Sequence, residues 1–244
     1  LSSKGVRRVL VDLAKSEHVD ESKPETVAEV KEPRVKSSFK DEIGKAKKLY
    51  NQAKKLQRQA LASMKAGRPI DSDGMKEVAD GFIDSVFRNQ DALACMTRMR
   101  QKDDYLMEHS INVSIIMTIF AKHMKIDEKI IHDLATGALL HDLGKINVPD
   151  EVLHKPGRLT DEEMVVMRSH VTLGYDILKE TEGLSDTILE VVLDHHERLD
   201  GSGYPNGKNE SQLSQYAKMI SICDTDDAIT ASRVYQNART PIMA

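Results

Sequence analysis

From Phe39 to about Ala66 the chain runs without proline and sets Phe39, Ile43, Ala46, Tyr50, Ala53, Leu56, Ala60 and Met64 at steps of three or four. A helix brings such positions onto one side, so the stretch reads as one long helix with a single apolar stripe. Gly67-Arg68-Pro69 breaks it, and Ile70-Asp71-Ser72-Asp73 offers an N-cap for a second helix to about Arg100. Residues 39–101 are therefore expected to form an antiparallel helical hairpin. From Lys102 onward helix follows helix. Asp103 or Asp104 caps one that reaches about Met124, and Asp127 opens 128–143. Thr160 and Glu163 have capping-box spacing and open 161–180, Ser185 opens 186–197, and a last helix spans 211–232. With no alternating strand pattern in this half, the expected fold class is all-α, a helical bundle over 102–244. The Val/Leu-rich residues 1–13 are the one candidate strand, a remnant, and the polar residues 14–38, with Pro24 and Pro33, read as a linker.

Charge narrows the partners. The 244 residues carry a net charge of −4, which does not suggest a coat for a nucleic-acid polymer or a membrane surface, so any anion must be met locally. The local exception is the far side of the first helix, with Lys45, Lys47, Lys48, Lys54, Lys55, Arg58 and Lys65. That face is either solvated, on a helix that packs on its neighbour or pairs in a dimer, or a guide for an anionic ligand or an acidic partner. Cys95 and Cys223 lie far apart and no signal-peptide pattern opens the sequence, so free thiols and a cytoplasmic setting are expected. No apolar run approaches the ~20 residues that span a bilayer, so no membrane segment is expected.

The chemistry gathers at His141-Asp142-Leu143-Gly144-Lys145. Imidazole and carboxylate stand side by side, and the carboxylate has two oxygens with which to bridge two cations. Gly144 falls where the preceding helix would end in a left-handed cap, and Lys145 beyond it offers a charge to an anion held by metals. On most chains a His-Asp pair at a helix end is a capping and surface pair. What lifts it here is company: His109, His170, His195-His196 and Asp224 fall on other helices, and a compact bundle can aim such groups at one point. His18, His123, His132 and His154 have no such pattern and read as ordinary surface or core groups.

Taken together, His109, His141-Asp142-x-Gly144-Lys145, His170, His195-His196-Glu197-Arg198-x-Asp200-Gly-x-Gly203-Tyr204-Pro205 and Asp224-x-x-Asp227-Ala228 with Arg233 resemble the HD-GYP family. The likeness covers roughly 102–240 and includes Leu153, Lys155-Pro156-Gly157, Leu159-Thr160, Arg168 and Gly174. It implies an all-helical HD domain that hydrolyses cyclic dinucleotides, usually cyclic di-GMP, at a centre of two or three metals, commonly iron or manganese. By position the implied ligands are His109, His141, Asp142, His170, His195, His196 and Asp224, with Asp142 bridging. Members with a third metal have a glutamate one turn before the first histidine; here Tyr105 stands there, so two divalent ions, iron or manganese, are expected. Glu108 would point about 100° away on the helix and is a poor substitute.

Two metals answer the resistance of a phosphodiester by activating a water and binding a phosphate oxygen. Asp142 and Lys145 are the expected catalytic pair, Lys145 and, by the resemblance, Arg233 would neutralise phosphate, and Tyr204 would line the base or ribose pocket. The expected product is linear pGpG or, with onward cleavage, GMP. A hybrid cyclic GMP-AMP is an alternative substrate, and a non-catalytic sensor of the dinucleotide an alternative role. A homodimer through 39–101 and signalling partners are the protein contacts expected. Three departures from the family pattern stand out: Asp226 for an apolar residue, Gln236 for a basic one, and an end at Ala244 short of the closing helices. The first segment resembles the end of a small domain of unknown function that often precedes HD-GYP domains.

Overall fold

The computed structural model describes residues 35–99 and 105–230. The candidate strand over 1–13, nearly all of the linker, Arg233, Gln236 and the Tyr105 side chain lie outside the described residues. Within them the chain is all-α, with no strand and only an isolated bridge between Asp200 and Asn209.

Helices α1 (Phe39–Lys65) and α2 (Ser72–Arg98) form the expected hairpin. Ser38 caps α1 by accepting from Asp41 N, and Asp71 caps α2 by accepting from Gly74 N at 2.9 Å. The apolar stripe of α1 is spent within the chain, where Ala46, Tyr50, Ala53, Ala60 and Met64 are buried together with Phe82, Leu93, Ile111 and Leu139. The basic face is not uniform: Lys54, expected in solvent, is buried against Glu108.

Asn89 interrupts α2 with extended backbone (φ −159°, ψ 100°), a break the periodicity hides. Three carbonyls just before the break find other donors: Lys122 Nζ on Val86 O (2.8 Å), Lys36 Nζ on Phe87 O (3.1 Å) and Ser37 N on Arg88 O (3.3 Å). The Asn89 side chain accepts from Asp91 N and so restarts the helix.

Helices α3 (Tyr105–His123), α4 (Glu128–Leu140), α8 (Asp186–Asp194) and α9 (Gln215–Thr230) complete the bundle. A second apolar cluster joins them through Met117, Leu134, Val191 and Ile220. Between α4 and α8 the chain makes a 3-10 turn (Leu143–Asn147) and the short helices α5 (Asp150–Leu153), α6 (Asp161–Arg168) and α7 (His170–Leu178).

Five sequence expectations change here. The helix expected over 128–143 ends at Leu140, and that over 186–197 ends at Asp194. The last helix begins at Gln215 rather than 211, after a 3-10 turn over Glu210–Gln212. The single helix over 161–180 is two, divided at Ser169, although Thr160 and Glu163 do form the capping box. Gly144 is not a left-handed cap, since it lies in the 3-10 turn and has no positive φ. Its reason is proximity: a Cβ there would stand 1.9 Å from His170 O and 2.6 Å from Gly174 N. The His-Asp turn thus presses directly on the backbone of α7, which no side chain would permit.

Cys95 and Cys223 are free. No helix among the described residues is long and apolar enough to cross a membrane.

Candidate metal centre

Five helix ends and faces bring the predicted histidines and carboxylates to one place. His141 caps the C-terminus of α4 and Asp142 follows it; His170 opens α7 just after the Ser169 break; His195 caps α8, with His196 next to it; His109 comes from α3 and Asp224 from α9. His109, His141, Asp142, His170 and His195 are almost wholly buried.

Three rings are fixed in the same way. Nδ1 of His141 donates to Ala138 O (2.8 Å), Nδ1 of His170 to Met167 O (2.7 Å) and Nδ1 of His195 to Val192 O (2.7 Å). A carbonyl only accepts, so each proton sits on Nδ1 and each Nε2 keeps its lone pair. Those lone pairs converge on Asp142. His170 Nε2 stands 3.4 Å and His195 Nε2 3.9 Å from Asp142 Oδ1, while His141 Nε2 and His109 Nε2 stand 3.4 Å and 3.5 Å from Oδ2. The carboxylate therefore faces one histidine group with each oxygen.

A cation fits this arrangement on chemical grounds. His170 Nε2 and His195 Nε2 are 3.3 Å apart, two acceptors facing each other. His141 Nε2 and Asp142 Oδ1 are buried with no hydrogen-bond partner. Acceptors that crowd together in a buried place without donors are what a metal ion satisfies. Two groups could hold one: His109, His141 and Asp142, and Asp142, His170, His195 and His196. Asp224 joins both sides, with Oδ1 2.9 Å from His109 Nε2 and Oδ2 3.8 Å from His196 Nδ1.

Electrostatics agrees with neutral imidazoles on one side. Burial, reinforced by the neighbouring histidines, holds His195 well below the ordinary histidine value, and burial brings His196 down to about 3. His109 behaves otherwise. Burial alone would lower it, but hydrogen bonds to Asp224 and Asp227 outweigh burial and carry it up to about 9. Asp142 is held well below the carboxylate range: burial pulls it upward, and Lys145 with the surrounding histidines overcomes that pull.

Lys145, expected to meet phosphate, lies with Nζ 2.5 Å from Asp142 Oδ2. Tyr204 stacks on His196 at 4.7 Å between centroids, and the exposed Arg168 places its guanidinium carbon 5.0 Å from the centre of the Tyr204 ring. Glu108 turns to Lys54. Arg233 falls outside the described residues.

Sequence reasoning gave no role to five residues that build this site. Asp227, fully buried, accepts from His109 Nδ1 at 2.7 Å; its signal was its place in the Asp224-x-x-Asp227 run of the family pattern, one helical turn from Asp224. Glu197, also buried, accepts from Asn206 N (2.7 Å) and Lys208 N (2.9 Å) and so folds the glycine-rich loop back over the histidine pair. Lys208 in turn reaches the buried Asp194 at 2.8 and 2.6 Å. Gly203 lets that loop close, because a Cβ there would lie 2.4 Å from Arg198 N.

The HD domain family model matches residues 87–244, and a domain of unknown function (DUF3391) matches residues 1–74. The chain is 35% identical over 199 residues to "Cyclic di-GMP phosphodiesterase PA4108" of Pseudomonas aeruginosa, covering 82% of this chain and 48% of that protein. It is 33% identical to a "Cyclic di-GMP phosphodiesterase" of Thermotoga maritima, over 65% of this chain and 43% of the relative. To the "3'3'-cGAMP-specific phosphodiesterase 1" of Vibrio cholerae it is 34% identical, over 56% and 32%. The chain thus spans less than half the length of these relatives. Among solved structures it resembles Bd1817, an HDG"Y"P protein from Bdellovibrio bacteriovorus, with TM-score 0.66, 20% identity, and 79% of this chain and 62% of that chain covered. The HD domain match takes in well over half of the sequence and contains the His-Asp pair, the helix-end histidines and the Gly-Tyr-Pro loop, so the chain belongs to the HD domain family and carries its HD-GYP signature.

Proposed function

We propose that the chain is a metal-dependent phosphodiesterase that opens a cyclic dinucleotide at a centre of two divalent cations. One observation carries this reading: Asp142 turns one oxygen to His109 and His141 and the other to His170 and His195. In this reading His109, His141, Asp142 and Asp224 hold one ion, and Asp142, His170, His195, His196 and Asp224 the other. The donors are imidazole and carboxylate without thiolate, a set that suits iron, manganese or zinc. Bound cations would supply Lewis acidity toward the phosphate and an activated water.

The rest falls to the protein. Asp142 keeps the two halves in register, and the backbone bonds at Nδ1 keep the three helix-end imidazoles aimed with Nε2 turned inward. Lys145 supplies a positive charge at the edge of Asp142 that an incoming phosphodiester anion would share. Tyr204, backed by His196 and Arg168, presents an aromatic rim against which a base or ribose could rest.

Cyclic di-GMP is the first candidate substrate, opened to linear pGpG. The likeness to a relative named as specific for 3'3'-cGAMP supports cyclic GMP-AMP as the second. All seven metal positions are filled, which favours turnover over a purely sensing role.

The test is to purify the chain anaerobically, count metals, and follow cyclic di-GMP and cyclic GMP-AMP by chromatography with Asp142→Ala as control. Two ions per chain with product formation that the variant loses is the expected result. Bound metal and tight dinucleotide binding with no product, even with fresh ferrous iron or manganese, would overturn the enzyme reading in favour of a sensor.

A further inference from the structure

Three polar side chains on α1 reach the residues that flank two of the site's histidines. Tyr50 Oη donates to Asn112 Oδ1 at 2.8 Å, Lys54 Nζ lies 2.8 Å from Glu108 Oε1, and Gln57 Nε2 donates to Leu139 O at 2.5 Å. Spacings of four and three place the donors on one face of the helix. Their targets share a location. Glu108 precedes His109, Asn112 lies one turn beyond it, and Leu139 stands two residues before His141. The Leu139 carbonyl is one of those that the C-terminus of α4 leaves open, beside the Ala138 carbonyl taken by His141 itself.

This layer is not what packing alone would select. Lys54 and Glu108 are buried, and a buried ion pair is at best about neutral for stability beside well-packed apolar residues. Gln57 Oε1 and Asn112 Nδ2, in the same layer, are buried without hydrogen-bond partners, which further weighs against a stability role. The sequence matches point the same way. Helix α1 lies inside the region matched to DUF3391 and outside the HD domain match, yet its polar face ends directly behind the candidate metal ligands.

We propose that Tyr50, Lys54 and Gln57 are positioning residues for His109 and His141, so that α1 forms the second layer of the metal centre. The inference rests on the metal-site reading above. Axial displacement of α1 disturbs all three contacts together, and with them the segments that carry both histidines. The accessory region thereby has a physical hold on the centre.

Cobalt(II) titration of the whole 244-residue chain, followed by the ligand-field absorption of the bound ion, tests this without recourse to turnover. The variants are Tyr50→Phe, Gln57→Met and the double change Lys54→Met/Glu108→Gln, with Lys55→Met on the exposed face as control. With helicity retained, each core variant is expected to bind cobalt roughly 10- to 100-fold more weakly, with a shifted band, and the control to match the wild type. Isotherms and bands equal to wild type would overturn the proposal. Tyr50→Phe removes a single oxygen and guards against misfolding of the ion-pair variant; collapse of Tyr50→Phe itself would mark the layer as structural and also overturn it. Wild-type protein that binds cobalt but opens no cyclic dinucleotide defeats the proposed activity, while the shifted variant bands still support the positioning role. Wild-type protein that binds no cobalt defeats both.

Discussion

The candidate centre holds its histidines by two different means. His141, His170 and His195 each follow the end of a helix and fasten Nδ1 to the carbonyl three residues back. Those carbonyls are available because the last turn of a helix leaves its acceptors open. His109 lies inside α3, where the helix consumes its own carbonyls, and its Nδ1 is held instead by Asp227 from α9. A helix end thus aims an imidazole with local material, whereas a helix interior must borrow a partner, and a borrowed carboxylate also changes the proton affinity of the ring. Burial holds His195, at a helix end, well below the ordinary histidine value, whereas His109 is carried up to about 9.

Removing the bridge erases the difference. If the centre holds two ions and opens a cyclic dinucleotide as proposed, Asp142→Ala is expected to lower metal content to fewer than one ion per chain and turnover by at least about 10³-fold, measured by elemental analysis and dinucleotide chromatography. Separating the sides is the next largest effect. Gly144→Ala forces a Cβ against His170 O, so it should destabilise the chain by about 3 kcal/mol and lower Tm by roughly 10 °C in a thermal melt. Retained Tm would refute the packing role given to this glycine.

Asp227→Asn acts on one side alone. It should weaken one of two binding steps by about 10- to 100-fold and leave the other unchanged in a metal titration. Because His109 must lose a proton to become a ligand, wild-type protein should release about one proton per chain on loading at neutral pH, and the variant less; calorimetry in buffers of different ionisation enthalpy reads this.

The smallest effect belongs far from the centre. Glu42 is buried on Arg88 and Ser85, and the Arg88 hydrogen bond, outweighing burial, holds its carboxyl below 4.5. A depressed carboxylate contributes stability that is present above the unfolded value and lost as pH falls through the folded one. Glu42→Gln should therefore reduce stability by roughly 1–3 kcal/mol at pH 7, with a gap from wild type that narrows in acid and turnover per folded chain unchanged. Urea titrations at several pH values measure it.

What could be read in the sequence was whatever depends on near neighbours. Asp71, Asp127, Ser185 and the Thr160–Glu163 box opened their helices where expected, because a cap acts over three residues. The seven candidate ligands were picked out through their spacing and the resemblance it carried, and the structure places them near one another. The remainder hinged on contacts between distant segments. Gly144 mattered through His170, Lys54 through Glu108, Asn89 through Ser37, and Asp227 through His109. Ser169 looked like helix interior, and its backbone is indeed close to helical (φ −62°, ψ −16°), so no local signal marks the division between α6 and α7.

The Glu197 fold-back has a bearing on engineering. The loop that rims the centre and the histidine pair at its floor belong to one continuous stretch, tied by Asp194 to Lys208 and by Glu197 to the amides of Asn206 and Lys208. A graft intended to exchange this loop with that of a relative would therefore have to move 194–209 as a single cassette. Cut at the glycines alone, the transplant would leave two buried carboxylates behind and arrive without its fastenings.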